Sequence, residues 1–213
     1  MKHFYKKIQG WFGARELYIS IVKEFESGSR FVEVGAWKGQ SAAFMAVEIL
    51  NSKKEILFDV VDTWKGSEEH WDADSPSYEP HLKEHGSLFP VFKKNLEPVW
   101  DLINPIQKPS IEAASDYEAE SLDFVYIDAS HDYDNVVKDI NAWYPKIKPS
   151  GILAGDDYGW SGVERAVKGK FGDNFIVEAK NNWIHSKLDN FDYEDFMINK
   201  LAKKNRLFKI LGL

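Results

Sequence analysis

Residues 31–42, FVEVGAWKGQSA, restrict the fold more than any other stretch, because the hydrophobic period changes within a few positions. Phe31, Val32 and Val34 form a short apolar run, Gly35 and Gly39 interrupt it, and from Ser41 to Leu50 apolar residues return at helical spacing: Ala42, Ala43, Met45, Ala46, Ile49 and Leu50. This pattern predicts a buried strand, a glycine turn and a helix. At such a turn the backbone can come close to a ligand, since glycine has no Cβ, and the first N–H groups of the helix point toward it. An anion suits that place, such as the carboxylate of an amino-acid-like cofactor. From Glu33 to Gly39 the spacing is E-x-G-x-x-x-G, which is neither the dinucleotide fingerprint nor the phosphate loop. A strand-turn-helix with no ligand produces the same pattern.

Length and charge narrow the classes. With 213 residues, 44% of them hydrophobic, the chain suffices for one full core, and one domain spanning 1–213 is expected. A net charge of -7 argues against general nucleic-acid binding, which depends on Lys and Arg neutralising phosphates. The absence of cysteine excludes a disulfide framework, a Cys-based zinc site and a thiol nucleophile. The N-terminus, MKHFYKKIQGWFG, lacks the long apolar run of a signal peptide, and no stretch reaches the ~18–20 apolar residues of a membrane span. A cytoplasmic location is the expectation.

Along the chain, Leu17, Tyr18, Ile21, Val22 and Phe25 predict a helix before the first strand. Ahead of it, in the N-terminal helical segment 1–28, Phe4, Tyr5, Ile8, Trp11 and Phe12 form an aromatic cluster that either packs on the domain or serves as a dimer contact or flap. Residues 55–61 are a second apolar run, ending in Asp62-Thr63-Trp64. An acid at the end of such a strand can accept both hydroxyls of a ribose, though a loop-starting Asp is the simpler alternative. Residues 65–90 are polar, with clustered acids, three histidines and three prolines, and are expected to hold loop and to act as a lid or substrate-binding insertion. The irregular spacing of His70, His81 and His85 favours solvent-facing or substrate-facing roles over a metal cluster. Helical spacing resumes over 91–102 with Pro98 kinking or ending it, followed by an edge strand at 103–106 and a loop with a short helix at 110–118. A strand at 122–127 ends at Asp128, a helix is expected over 133–147, stopped by Pro149-Ser150-Gly151, and a strand at 152–154 runs into Gly155-Asp156-Asp157. A helix at 162–171 and strands at 175–179 and 183–187 complete an alternating α/β series. The basic amphipathic tail 200–213 reads as a packed or frayed terminal helix, with an anionic membrane surface as the alternative.

The most specific chemistry lies in YIDASHDY (126–133) and GDDY (155–158). Asp128, Asp156 and Asp157 fall just past the ends of strands expected to be neighbours, where open α/β sheets place ligands. Carboxylates so crowded need a cation or a proton, and an all-oxygen set suits a hard ion such as Mg²⁺. Asp132, at the start of a helix, is better explained as its cap.

With EVGAWKG, VVDTW, YIDASHDY, KPSGILAGDDY and GVERAV together, residues 31–171 resemble the class I S-adenosylmethionine-dependent methyltransferases, in particular the metal-dependent bacterial sugar and macrolide O-methyltransferases. The resemblance implies a doubly wound, Rossmann-like fold, with a mostly parallel seven-stranded sheet and helices on both faces. It implies that S-adenosyl-L-methionine lies along Glu33, Gly35, Ala36, Trp37, Gly39, Ser41, Asp62, Thr63, Trp64, Ser110, Ile111 and Asp128. Asp128, Asp156 and Asp157 would hold Mg²⁺ or another divalent cation, and His131 would be the general base, since Ser130 stands where some members have an Asp. Gln107-Lys108-Pro109-Ser110 departs from the family's turn before the adenine contact. The implied reaction is O-methylation of a hydroxyl on a small molecule or sugar, with a homo-oligomer as the expected assembly. Two other classes stay open: a non-catalytic cofactor-fold binding module, and a metal-dependent hydroxylase-like or hydrolytic relative.

Overall fold

The apolar runs of the sequence become a seven-stranded sheet in the computed structural model, which describes residues 1–75 and 77–198. The strands are β1 (Arg30–Val34), β2 (Leu57–Asp62), β3 (Asn104–Gln107), β4 (Leu122–Ile127), β5 (Ile147–Gly155), β6 (Ile176–Glu178) and β7 (Asn182–Ser186), in the order β3-β2-β1-β4-β5-β7-β6. The first five are mutually parallel, whereas β7 runs antiparallel to both β5 and β6. Parallel neighbours need crossovers, and helices supply them. These are α2 (Gln40–Ser52), the series α3 (Glu68–Trp71), α4 (Pro80–His85) and α5 (Phe89–Asn95), then α6 (Ser110–Ser115) and α7 (Tyr133–Trp143). Helix α1 (Arg15–Glu24) precedes the sheet, α8 (Ser161–Phe171) links β5 to β6, and α9 (Tyr193–Ile198) follows β7.

Both faces of the sheet are covered, because the apolar residues of the central strands alternate between two cores. Phe31, Phe124 and Tyr126 enter one core with residues of α1 and α2, while Val32, Val34, Val125 and Ile127 enter the other with residues of α6, α7 and α8. Chain order reverses between β1 and β4, which opens a crevice past their C-terminal ends. Asp62, Asp128, Asp156 and Asp157 lie at or just past the C-terminal ends of β2, β4 and β5, whereas Glu33 lies inside β1.

Two expectations change, the end of α7 and the role of Pro149-Ser150-Gly151. Helix α7 stops at Trp143, and Pro145 lies in a 3-10 turn from Tyr144 to Lys146. Pro149-Ser150-Gly151 therefore lies inside β5, not at a helix end. There the register jumps from Leu122↔Ile147 to Phe124↔Ile152, a bulge that accommodates a proline within a strand. Residues 65–90 carry the short helices α3 and α4 and the start of α5 with loop between them, and Pro98 lies in a 3-10 turn, Glu97–Leu102. In the N-terminal segment Tyr5 and Ile8 are buried, Phe12 packs on the core and His3 stacks on Phe44 at 4.3 Å, so this cluster packs on the domain. Trp11 alone stays out, 79% exposed. The basic tail, 200–213, lies outside the described residues, among which no helix is long and apolar enough to cross a membrane.

Candidate active site

The turn after β1 is fixed by contacts within the protein. Gly35 has φ +89°, and a Cβ there would stand 2.0 Å from the carbonyl oxygen of Asp128, so no side chain fits between β1 and β4 at this point. Gly39 also has φ +89° and starts α2; a Cβ there would press on Phe92 and Leu96 of the α5 region. No side chain caps α2. Asp62 closes the turn from the neighbouring strand: its Oδ2 accepts the N–H groups of Ala36 at 2.8 Å and Trp37 at 2.9 Å, and its Oδ1 accepts that of Trp64 at 2.7 Å. Oδ2 is thereby saturated, and Oδ1 retains a lone pair for an outside donor.

Beneath the turn, Glu33 is buried and accepts the hydroxyls of Ser41 at 2.6 Å and Tyr18 at 3.1 Å. Burial pushes its pKa up to about 7, against the pull of those two hydrogen bonds. Ser41 is thereby committed to Glu33. Thr63 accepts the Lys65 N–H, and Trp64 turns into the core against Phe89 and Phe92, so the Trp64 ring is removed from the surface of the crevice. Ser110 is committed too: it donates to Asp139 at 2.5 Å and accepts the Trp143 indole N–H at 2.9 Å, fastening α6 to α7. Ile111 remains exposed on α6.

The 65–90 insertion docks on the turn itself. Lys38, between the two glycines, forms an ion pair with Glu79, both almost fully buried, and donates to Gln9 of the N-terminal segment at 2.6 Å. Trp37 meets the His70 ring at 4.3 Å, and His70 closes a capping box with Ser67 at the start of α3.

The acids past β4 and β5 are organised differently. Among the described residues no hydrogen bond reaches the Asp128 side chain, and burial, followed by the charges of Asp156, Asp157, Glu33 and Asp62, pushes its pKa well up. Burial also raises Asp156, although its Oδ1 accepts from the Asp157 backbone at 2.8 Å and from the Asn181 side chain. Asp157 has φ +61° and bonds the Nε2 of His131 at 2.7 Å; that contact lowers the acid and raises the imidazole. His131 stacks on the exposed ring of Trp160 at 5.0 Å. Asp132 caps α7 by accepting from Asn135 N at 3.1 Å, as expected. Ligand atoms of the three rim acids do not all approach within 4.8 Å of one another; among the described residues the group that does is His81, Glu84 and His85 on α4.

Several partners were missed by sequence reading. Asn181, at the β6–β7 turn, holds Asp156, while Asn182 accepts the buried Tyr126 hydroxyl at 2.7 Å. The only signal was a polar Asn pair before an apolar strand, which reads as turn chemistry. Lys38, Glu79 and Trp160 carried no local signal at all, since each acquires its role from a segment distant in sequence.

Comparison with known proteins identifies the family and the fold. A family model described as "Methyltransferase domain" matches residues 32–158, more than half of the chain. An uncharacterized protein of Sinorhizobium fredii is 26% identical over 124 residues, 58% of this chain but only 12% of that much longer protein. The structure of the O-methyltransferase NovP matches with a TM-score of 0.60 and 16% identity, over 82% of this chain and 78% of that one. CalS11, a TDP-rhamnose 3'-O-methyltransferase of calicheamicin biosynthesis, matches with a TM-score of 0.54 and 16% identity, over 81% and 77%. A SAM-dependent O-methyltransferase of Thermotoga maritima matches with a TM-score of 0.56 and 11% identity, over 88% and 69%. Matched through its whole strand-end rim from β1 to β5, the chain belongs to the methyltransferase-domain family and has the fold of S-adenosylmethionine-dependent O-methyltransferases.

Proposed function

We propose that this chain is an S-adenosylmethionine-dependent O-methyltransferase acting on a hydroxyl of a small molecule, a sugar being the acceptor the resemblance favours, with a divalent cation at the acid rim. The observation that carries this reading is the Asp128 carboxylate, which lacks a hydrogen-bond donor among the described residues and faces two more acids one strand away from the glycine turn. A donor set of carboxylates alone fits a hard cation such as Mg²⁺, held by Asp128, Asp156 and Asp157. The uncapped start of α2 and the spare lone pair of Asp62 Oδ1 fit the amino-acid and ribose ends of the cofactor. When bound, the cation would lower the pKa of an acceptor hydroxyl and the cofactor would supply the electrophilic methyl group.

The chain's own residues do the rest. Asp157 holds His131 through Nε2, which leaves Nδ1 to take the acceptor's proton, as in other Asp-oriented imidazole bases. The turn and the acid rim hold the two reactants on neighbouring strands, and such positioning contributes up to ~7–11 kcal/mol in favourable cases. Trp160, stacked on His131 and otherwise exposed, offers a flat apolar surface to an acceptor ring. Because Asp157 raises the His131 pKa, the neutral imidazole predominates only above the ordinary histidine range.

The test combines thermal shift with turnover. S-adenosylhomocysteine should raise the melting temperature, and Mg²⁺ should raise it further in the parent but not in Asp156→Asn. In methyl-transfer assays from about pH 6 to pH 9, turnover should climb toward the alkaline end, and His131→Ala should cost about 10²–10⁴-fold. No shift with S-adenosylhomocysteine would remove the cofactor assignment, and an unchanged pH profile in His131→Ala would return His131 to a structural role.

A further inference from the structure

We propose that His81, Glu84 and His85 of α4 form a second metal site, distinct from the acid rim and suited to Zn²⁺ or a similar borderline divalent ion. The three residues occupy positions i, i+3 and i+4 of one helical turn, in the sequence HLKEH. Their ligand atoms all lie within 4.8 Å of one another; Nδ1 of His81 and Nε2 of His85 are each 3.7 Å from Oε2 of Glu84. Bonds of ~2.0–2.1 Å in a tetrahedral site place ligands roughly 3.3 Å apart, so small side-chain rotations suffice. All three are exposed, which leaves those rotations unopposed and a fourth position open to water.

The turn that carries them is held in shape by the rest of the chain. A helix of six residues has no stability of its own in water, yet α4 is fastened at three points. Leu82 is fully buried beneath it, the Glu79 side chain accepts from His81 N at 3.3 Å, and Gly86 closes the C-terminus in the left-handed conformation with its N–H on Leu82 O at 2.7 Å. The imidazole rings therefore stand one turn apart, 6.2 Å between centroids and within 11° of parallel. Two imidazoles and one carboxylate favour Zn²⁺, Ni²⁺ or Co²⁺ over Mg²⁺, the reverse of the all-oxygen rim. Glu79, which caps α4, is also the buried partner of Lys38 in the glycine turn, so an ion clamping this helix also steadies the docking of the insertion.

The experiment is a calorimetric titration of untagged, chelator-stripped full chain with Zn²⁺ in excess Mg²⁺, on the parent, His81→Gln, His85→Gln and Asp156→Asn. The expected result is one equivalent bound with micromolar affinity, weakened at least tenfold by either His substitution and unchanged by Asp156→Asn. Circular dichroism should show both His variants folded, because the substituted side chains are exposed. A Co²⁺ complex should show the visible absorption of four-coordinate geometry in the parent and lose it in His85→Gln. Zn²⁺ binding that survives both His substitutions, or that is absent from the parent below millimolar concentration, overturns the site.

Discussion

Around the glycine turn, at the ends of β1 and β2, the acidic side chains are satisfied within the protein; at the ends of β4 and β5 Asp156 and Asp157 have partners, but Asp128 meets only the charges of neighbouring acids among the described residues. Asp62 takes three backbone N–H groups and Glu33 takes two hydroxyls, whereas among the described residues Asp128 takes none. The first half is preformed and contributes to the fold. The second stores mutual repulsion, which a positive charge would relieve. Folding therefore builds one half of the crevice for its own stability and leaves the other half dependent on what binds there.

The largest expected effect comes from forcing the halves apart. Gly35→Ala sets a methyl group against the backbone of Asp128 at a positive φ, and a loss of about 4–5 kcal/mol or more is expected in urea denaturation. A loss under about 1 kcal/mol would show that β1 and β4 are not pinned together here. Next is the buried ion pair that docks the insertion on the turn. Lys38→Met leaves Glu79 buried without its partner and should cost about 3–5 kcal/mol, much of which Lys38→Met with Glu79→Leu should restore. If the double variant is as unstable as the single one, the pair is not what holds the insertion.

Glu33 allows a pH test of the preformed half. Its folded pKa of about 7 exceeds the ordinary 4.5, so between those values the native state keeps a proton that the unfolded chain has released. The stabilisation this gives is complete below about pH 4.5 and lost once the pH passes about 7, a change of roughly 3 kcal/mol that Glu33→Gln should flatten. Parallel curves for parent and variant would place the titration elsewhere. Asp62→Ala should then reduce affinity for S-adenosylhomocysteine by roughly 1.5–3 kcal/mol, read by calorimetry on folded protein. Unaltered affinity would confine Asp62 to closing the turn.

The smallest effect has the opposite sign. Asp128→Asn removes a repelling charge from a site without a donor, and in the absence of cations should stabilise the fold by about 1 kcal/mol while abolishing methyl transfer. Destabilisation by this substitution would mean that the two halves are alike after all.

Much of the fold was legible because short-range patterns carry it. The apolar runs at 31–34 and 122–127 and the helical stripes of α1 and α7 follow from side-chain period alone. The bulge inside β5 was not legible, since Pro149-Ser150-Gly151 stops a helix and bends a strand equally well, and only pairing with β4 chooses. Of the candidate site, the acids at the strand ends were found because strand termini locate them. The commitments of Ser110 to α7 and of Trp64 to the core were hidden, because a hydroxyl or an indole in a loop does not reveal which neighbour will claim it.

What the sequence by itself determined is therefore which residues stand at the strand ends, for a strand's period and its terminating glycine or acid are properties of neighbouring residues. What only the tertiary structure decided is which of those acids are satisfied. Asp62 meets the N–H groups of a turn some 25 residues earlier, and Lys38 meets Glu79 across the insertion, but among the described residues no donor is delivered to Asp128. Satisfaction of a charge depends on distances between segments that chain order does not specify, and those distances exist only once the sheet has assembled.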